Sequence, residues 1–117
     1  MNYRYRGNTE LPAIPIAWLD NAGAVVDFST GWTFTAYICN PTAPSVALVA
    51  KTSGITGAAT SPNVTIDWST SDFSALTPTD AGATYNVEVV ARRTSDSKDE
   101  WLSESITITL YTSITGP

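Results

Sequence analysis

The stretch TDAGATYNVEVVARR, residues 79–93, decides how the chain folds. Thr79-Asp80-Ala81-Gly82 is a turn, with Asp able to cap its own backbone and Gly82 giving the chain freedom to reverse. From Tyr85 onward the residues alternate. Tyr85, Val87, Val89 and Ala91 share one face of an extended segment, and Asn86, Glu88, Val90 and Arg92 share the other. Alternation of this period is the mark of a strand with one face in a core.

The same period recurs on both sides. In residues 32–39, Trp32, Phe34, Ala36 and Ile38 face one way, and Thr33, Thr35, Tyr37 and Cys39 the other. In residues 63–68, Val64, Ile66 and Trp68 point inward and Asp67 outward. Residues 101–112 set Leu102, Ile106, Ile108 and Leu110 against Thr107, Thr109 and Tyr111. Glu104 falls on the inward parity there, which predicts a bulge or an edge position. Shorter strands are expected at 24–28 and 46–51. Residues 9–19 contain Pro12 and Pro15, which cannot donate to a ladder, so this segment is an edge strand or a docked extended arm.

Breakers separate these runs at intervals of roughly eight to fifteen residues, the spacing of a sandwich or small barrel. Asp20-Asn21-Ala22-Gly23 is a short turn, and Asn40-Pro41-Thr42-Ala43-Pro44 ends a strand. Ser53-Gly54-Ile55-Thr56-Gly57 reads as a loop, and 94–100 as a charged loop. Residues 69–76 differ: polar N-capping residues precede Phe73 and Leu76, an i, i+3 apolar pair, which predicts one helical turn crossing between sheets.

The expected fold is therefore all-β: a single domain over 1–117, a two-sheet antiparallel β-sandwich of about seven strands with one short helical turn. An oligosaccharide-binding type of barrel is the structural alternative. Residues 1–10 read as an N-terminal arm and 113–117 as a C-terminal tail, either free or docked on a neighbour.

Composition narrows the function. The chain of 117 residues is 43% hydrophobic and only 15% charged, with a net charge of −5. Nucleic acid is an unsuitable partner, because the few basic residues form no stripe to neutralise phosphates. Cys39 is the only cysteine, so no internal disulfide forms and the fold rests on packing; the thiol is expected to be buried and inert. The opening MNYRYRGNTELP has no apolar signal core, and no run reaches membrane-spanning length, so synthesis in the cytosol and no membrane insertion are expected. Asn63-Val64-Thr65 matches a glycosylation sequon, read here as accidental.

Catalytic residue types are sparse. Histidine is absent, which removes the commonest general base and neutral metal ligand. Cys39 lacks a histidine partner, and no serine lies in a GxSxG elbow. Asp67, Asp72 and Asp80 could supply a glycosidase-like carboxylate pair, set against their ordinary use as turn and helix caps. Asp20 to Asp27 lacks the ligand alternation of a calcium loop. No enzyme activity, cofactor or metal is expected. Four tryptophans raise a sugar-stacking alternative. Trp18, Trp32 and Trp68 share phase with core aliphatics, leaving Trp101 as the one candidate surface platform.

Three segments together resemble a known family. They are Arg6-Gly7-Asn8-Thr9, then Trp18-Leu19-Asp20-Asn21-Ala22-Gly23-Ala24-Val25-Val26-Asp27-Phe28, then Asp80-Ala81-Gly82-Ala83-Thr84-Tyr85. This order resembles the short immunoglobulin-like domain of tailed-phage virion proteins, best known as the N-terminal domain of phage baseplate upper proteins. Asn8 stands where that family tends to carry Asp, and Phe28 where it carries Leu. Tyr85 enters its strand as the tyrosine of an immunoglobulin-like late strand does, but Val87 occupies the place of the antibody cysteine.

The resemblance implies a non-enzymatic structural protein of the virion, assembled in the host cytoplasm as a tail or baseplate component or a capsid decoration protein. Its partners would be other virion proteins and further copies of itself, met through sheet edges and through an arm carrying Tyr3, Arg4, Tyr5 and Arg6. The alternative is a carbohydrate-binding module that grips host surface glycans with Trp101.

Overall fold

The computed structural model describes residues 2–6, 13–102 and 105–112. Among them are strands β1 (Asn2–Arg6), β2 (Ile14–Ile16), β3 (Trp32–Asn40), β4 (Ala43–Lys51), β5 (Ile55–Gly57), β6 (Val64–Ile66), β7 (Ala83–Arg93), β8 (Asp99–Trp101) and β9 (Ile106–Tyr111). They form two sheets with the architecture of a β-sandwich. The larger runs β1-β9-β7-β3-β4 with β8 also paired to β7, and the smaller runs β2-β6-β5. One 3₁₀ turn, Thr70–Phe73, crosses from β6 in the small sheet toward β7 in the large one, as the sequence predicts.

One core joins the sheets. Ile38, Val87, Val89, Ile106, Ile108 and Leu110 enter it from the large sheet, and Ile14, Ile16, Val64 and Ile66 from the small one. Each buried aliphatic side chain contributes about 1.5–3 kcal/mol relative to exposure. The inward face read from 79–93 is the face that is buried. Phe73 and Leu76 close the crossing turn into the same core. The Tyr85 hydroxyl accepts the Thr77 N–H at 3.3 Å, tying the entry of β7 to the segment before it.

Several expectations are corrected. Residues 2–6 are not a free arm: they form β1, which pairs in parallel with β9, because Tyr5 is fully buried against Phe73 at 5.5 Å between ring centroids. The large sheet is consequently mixed rather than purely antiparallel. Residues 24–28 make only one bridge, Val25 to Leu19, since the Asp20 carboxylate draws the chain into a turn by accepting the Ala22 and Ala24 N–H groups. Gly23 completes that turn with φ of 83°, a conformation costly for any residue with a Cβ.

The expected loop at 53–57 contains a short strand, β5, and β4 begins at Ala43 rather than near Val46. Pro44 is accommodated because β4 is an edge strand. Its hairpin turn is held by the Asn40 side chain, which accepts from the Thr42 N–H and hydroxyl. The single strand expected over 101–112 is two, β8 and β9, both along β7. Between the pairs Val90 with Trp101 and Val87 with Ile106, β7 advances three residues and its partner five. The chain therefore irregularly inserts residues where a bulge is expected, although Glu104 itself, like Pro12, the Gly7-Asn8-Thr9 element and the tail 113–117, lies outside the described residues.

Two aromatic clusters close the sandwich. Phe28 makes edge-to-face contacts with Trp18, Trp32 and Phe34 at centroid distances of 5.1, 4.9 and 5.4 Å. Phe73 sits between Tyr5 and Trp68. The Trp68 indole N–H is close enough to Tyr5 to favour its phenolate, yet it makes no hydrogen bond of good geometry. Burial outweighs this effect and pushes the Tyr5 hydroxyl up to about 12 from an ordinary value of 10.0.

Because the fold favours the neutral phenol, its contribution is complete below pH 10 and is lost as pH rises from 10 toward 12, about 2 kcal/mol in all. Chemical denaturation across that window should show the wild type losing this amount relative to Tyr5→Phe. Parallel curves for the two proteins would contradict it.

Candidate functional site

The outer face of the large sheet carries a built aromatic surface. β8 is held against β7 by the pairs Val90 with Trp101 and Arg92 with Asp99. The β7–β8 turn is braced by Arg93, whose guanidinium reaches Asp96 at 3.0 and 3.1 Å, and by the Thr94 N–H, which donates to the Gly31 carbonyl. Trp101 is thus presented from a fixed hairpin, 54% exposed. Its ring stacks on Tyr37 of β3 at 6.0 Å with a 24° tilt. Since β3 and β8 flank β7, the two rings meet above β7, which explains why outward-facing Val90 is only 7% exposed.

Shallow pockets lie on both sides of Trp101. One, of about 260 Å³, is lined by Asn86, Glu88, Leu102 and Ser105 among others. The second, of about 170 Å³, is lined by Thr33, Thr35, Tyr37, Arg92 and Asp99. Arg92 meets Asp99 as a fork, Nε to Oδ1 at 2.7 Å and Nη2 to Oδ2 at 3.0 Å. These bonds hold the Asp99 carboxyl below the usual carboxylate range and raise Arg92, so both groups stay charged at neutral pH.

A second surface is the edge strand β4, APSVALVAK. Val46 and Leu48 are 56% and 42% exposed, and the register with β3 shifts on both sides of Cys39. The one charge of β4, Lys51, is buried. Its Nζ meets the Asp72 carboxylate at 2.7 Å and lies 5.7 Å from the centre of the Trp68 ring. Asp72 also accepts the Ser69 N–H at the start of the 3₁₀ turn. The pair therefore clips the end of the large sheet to the crossing turn.

The sequence-derived candidates are distributed as follows. Trp101 is exposed, while Trp18 and Trp68 are buried and Trp32 is half-buried beneath Arg93. Tyr37, the partner of Trp101, is not among these candidates; the signal the sequence offers for it is its outward parity in residues 32–39. Of the arm residues, Arg4 is exposed, Tyr3 packs at the core margin and Tyr5 is inside it, and the Arg6 side chain is not described. The three candidate carboxylates are not brought together as a pair: Asp72 is bonded to Lys51, Asp80 accepts the Thr112 hydroxyl, and Asp67 is exposed.

Cys39 is buried, and burial raises its thiol with a further push from Glu88, which makes it a poor nucleophile. Asn63 of the sequon is fully buried, with both amide hydrogens donated to the Trp18 and Val26 carbonyls. Among the described residues no cluster of His, Cys, Asp or Glu is placed to hold a metal, and no helix is long and apolar enough to cross a membrane. Comparisons with protein-family models, with curated proteins and with solved structures return no match for the chain.

Proposed function

We propose that this protein is a non-enzymatic structural module with an immunoglobulin-like fold that associates with further copies of itself through β4. The observation that carries the reading is the character of that edge. Sheet edges in monomeric proteins are ordinarily blunted by outward charge. β4 has no exposed charge: its lysine is turned inward onto Asp72, and Val46 and Leu48 face solvent. In a chain of net charge −5, this is a strip where two copies can approach without repulsion. A two-fold contact there brings the same apolar side chains together from both sides. Pro44 and the register shifts limit a continuous backbone ladder, so side-chain packing carries the contact.

The immunoglobulin-like part rests on a parallel first strand beside the last, a helical turn leading into β7, and Tyr85 bonded to the segment before it. The resemblance to immunoglobulin-like domains of tailed-phage virion proteins adds the setting, a tail, baseplate or capsid-decorating position in a particle assembled in the host cytoplasm.

Sedimentation and native mass spectrometry test the association. Wild-type protein should form a closed oligomer, and a Val46→Lys/Leu48→Lys variant should be monomeric with its melting temperature little changed. A strictly monomeric wild type, or a variant that associates equally well, would overturn the reading. The virion setting requires the protein to appear in the proteome of purified phage particles.

A further inference from the structure

We infer that the outer face around Trp101 is a binding site for a neutral oligosaccharide, lying across β7 with one sugar ring on each side of the Trp101–Tyr37 stack. A surface tryptophan of ordinary globular packing is a lone hydrophobe. Here the indole is fixed by a hairpin, backed by a second ring and flanked on both sides by polar pockets. The negative face of an indole attracts the weakly positive C–H groups of a pyranose, and two rigid rings hold that surface at little entropic cost.

The polar lining matches hydroxyls. Two of the five guanidinium N–H groups of Arg92 are engaged by Asp99, so three donors remain, and the carboxylate keeps further acceptor positions. The fork fixes donors and acceptors side by side in one plane, the pattern that neighbouring hydroxyls of a sugar complement. Thr33 and Thr35 add hydroxyls to that pocket, and Glu88 and Asn86 supply acceptor and amide groups to the other. Each pocket is smaller than the cavities that enclose drug-sized ligands, which suits a single ring apiece.

Charge selects the class. Arg92 is neutralised by Asp99, Glu88 adds a negative charge, and the whole chain carries −5, so sialylated, sulfated and uronate sugars are repelled. This surface is separate from β4, so one protein can associate through its edge while presenting the sugar site outward.

Affinity electrophoresis of the full chain through gels containing mixed-linkage glucan, xylan, galactomannan or amylopectin tests the inference, with heparin and polygalacturonate as anionic counterparts. At least one neutral polysaccharide should retard the wild type. Trp101→Ala should weaken that retardation about tenfold or more, as removal of a central aromatic anchor does. Trp101→Phe should retain most of it. Asp99→Asn, an exposed change outside the core, should weaken it severalfold and serves where Trp101→Ala fails to fold. The Val46→Lys/Leu48→Lys protein should bind like the wild type at the level of a single chain, which separates this site from association. Blank neutral gels, retardation by the anionic polymers alone, or Trp101→Ala and Asp99→Asn migrating like the wild type would each overturn it; retention on a protein partner alone would do the same.

Discussion

Gly57→Ala should lower the stability of the protein by about 3 kcal/mol or more, a fall of about 10 °C or more in melting temperature. A Cβ at this position would lie 2.1 Å from the Phe28 carbonyl oxygen and 2.9 Å from the Phe28 Cβ. Neither neighbour can yield. The Phe28 N–H donates to the Ala58 carbonyl at 3.0 Å, and its ring is held edge-on by three other aromatics. A methyl group must therefore displace β5 or the whole cluster. Gly23→Ala is the comparison: nothing lies within 4 Å of its added Cβ, so only the cost of a positive φ remains, about 1–2 kcal/mol. Thermal melts of the two variants decide the matter. Equal losses would mean that the approach of Gly57 to Phe28 is not the source.

Asn63→Ala is expected to cost about 3–4 kcal/mol. The Asn63 side chain stands in for a missing piece of sheet. Its Oδ1 accepts the Trp18 N–H at 2.7 Å, and its Nδ2 donates to the Trp18 and Val26 carbonyls at 2.9 and 2.7 Å. Removing it leaves the buried Trp18 N–H and the part-buried Val26 carbonyl without these partners, whereas the Trp18 carbonyl keeps the Val26 N–H. Asn63→Asp separates hydrogen bonding from size. The carboxylate would face two carbonyl oxygens with no proton to offer, so the aspartate variant should be at least as unstable as the alanine variant at neutral pH. Its folded-state pKa is then raised above the unfolded value, so the deficit is full above both and shrinks as pH falls and the carboxyl protonates. Denaturant midpoints for the aspartate variant that do not recover relative to wild type under acid conditions would refute the strut.

Neither site was visible in the sequence, and the reason is the same for both. Gly57 and Asn63 are ordinary turn residues by type, and what makes them costly to change is a neighbour far along the chain. Lys51 is similar: a lysine ending an apolar strand reads as its solvated end, and only Asp72, arriving with the crossing turn, allows it to be buried. Alternation, by contrast, is a local signal, and it gave β3, β7 and β9 their faces correctly. It failed where strands are too short to alternate, as in β5 and β8, and where Pro44 looked like a terminator although an edge strand tolerates it. For the surface site, parity isolated Trp101 from the other tryptophans. The meeting of Tyr37 with Trp101 leaves no local signal, because it depends on two strands closing on β7 from opposite sides.

The pairing of β1 with β9 has a consequence for how the chain acquires its shape. Asn2 lies opposite Thr107 and Arg6 opposite Tyr111, so β1 finds its sheet neighbour only after every strand from β2 to β8 has been made. Until then Tyr5 has no strand beside it on the large sheet. A long-range parallel pairing of this kind is slow to form. The sandwich therefore closes last at the seam between β1 and β9, and β1 waits unpaired in the large sheet while the strands between them form.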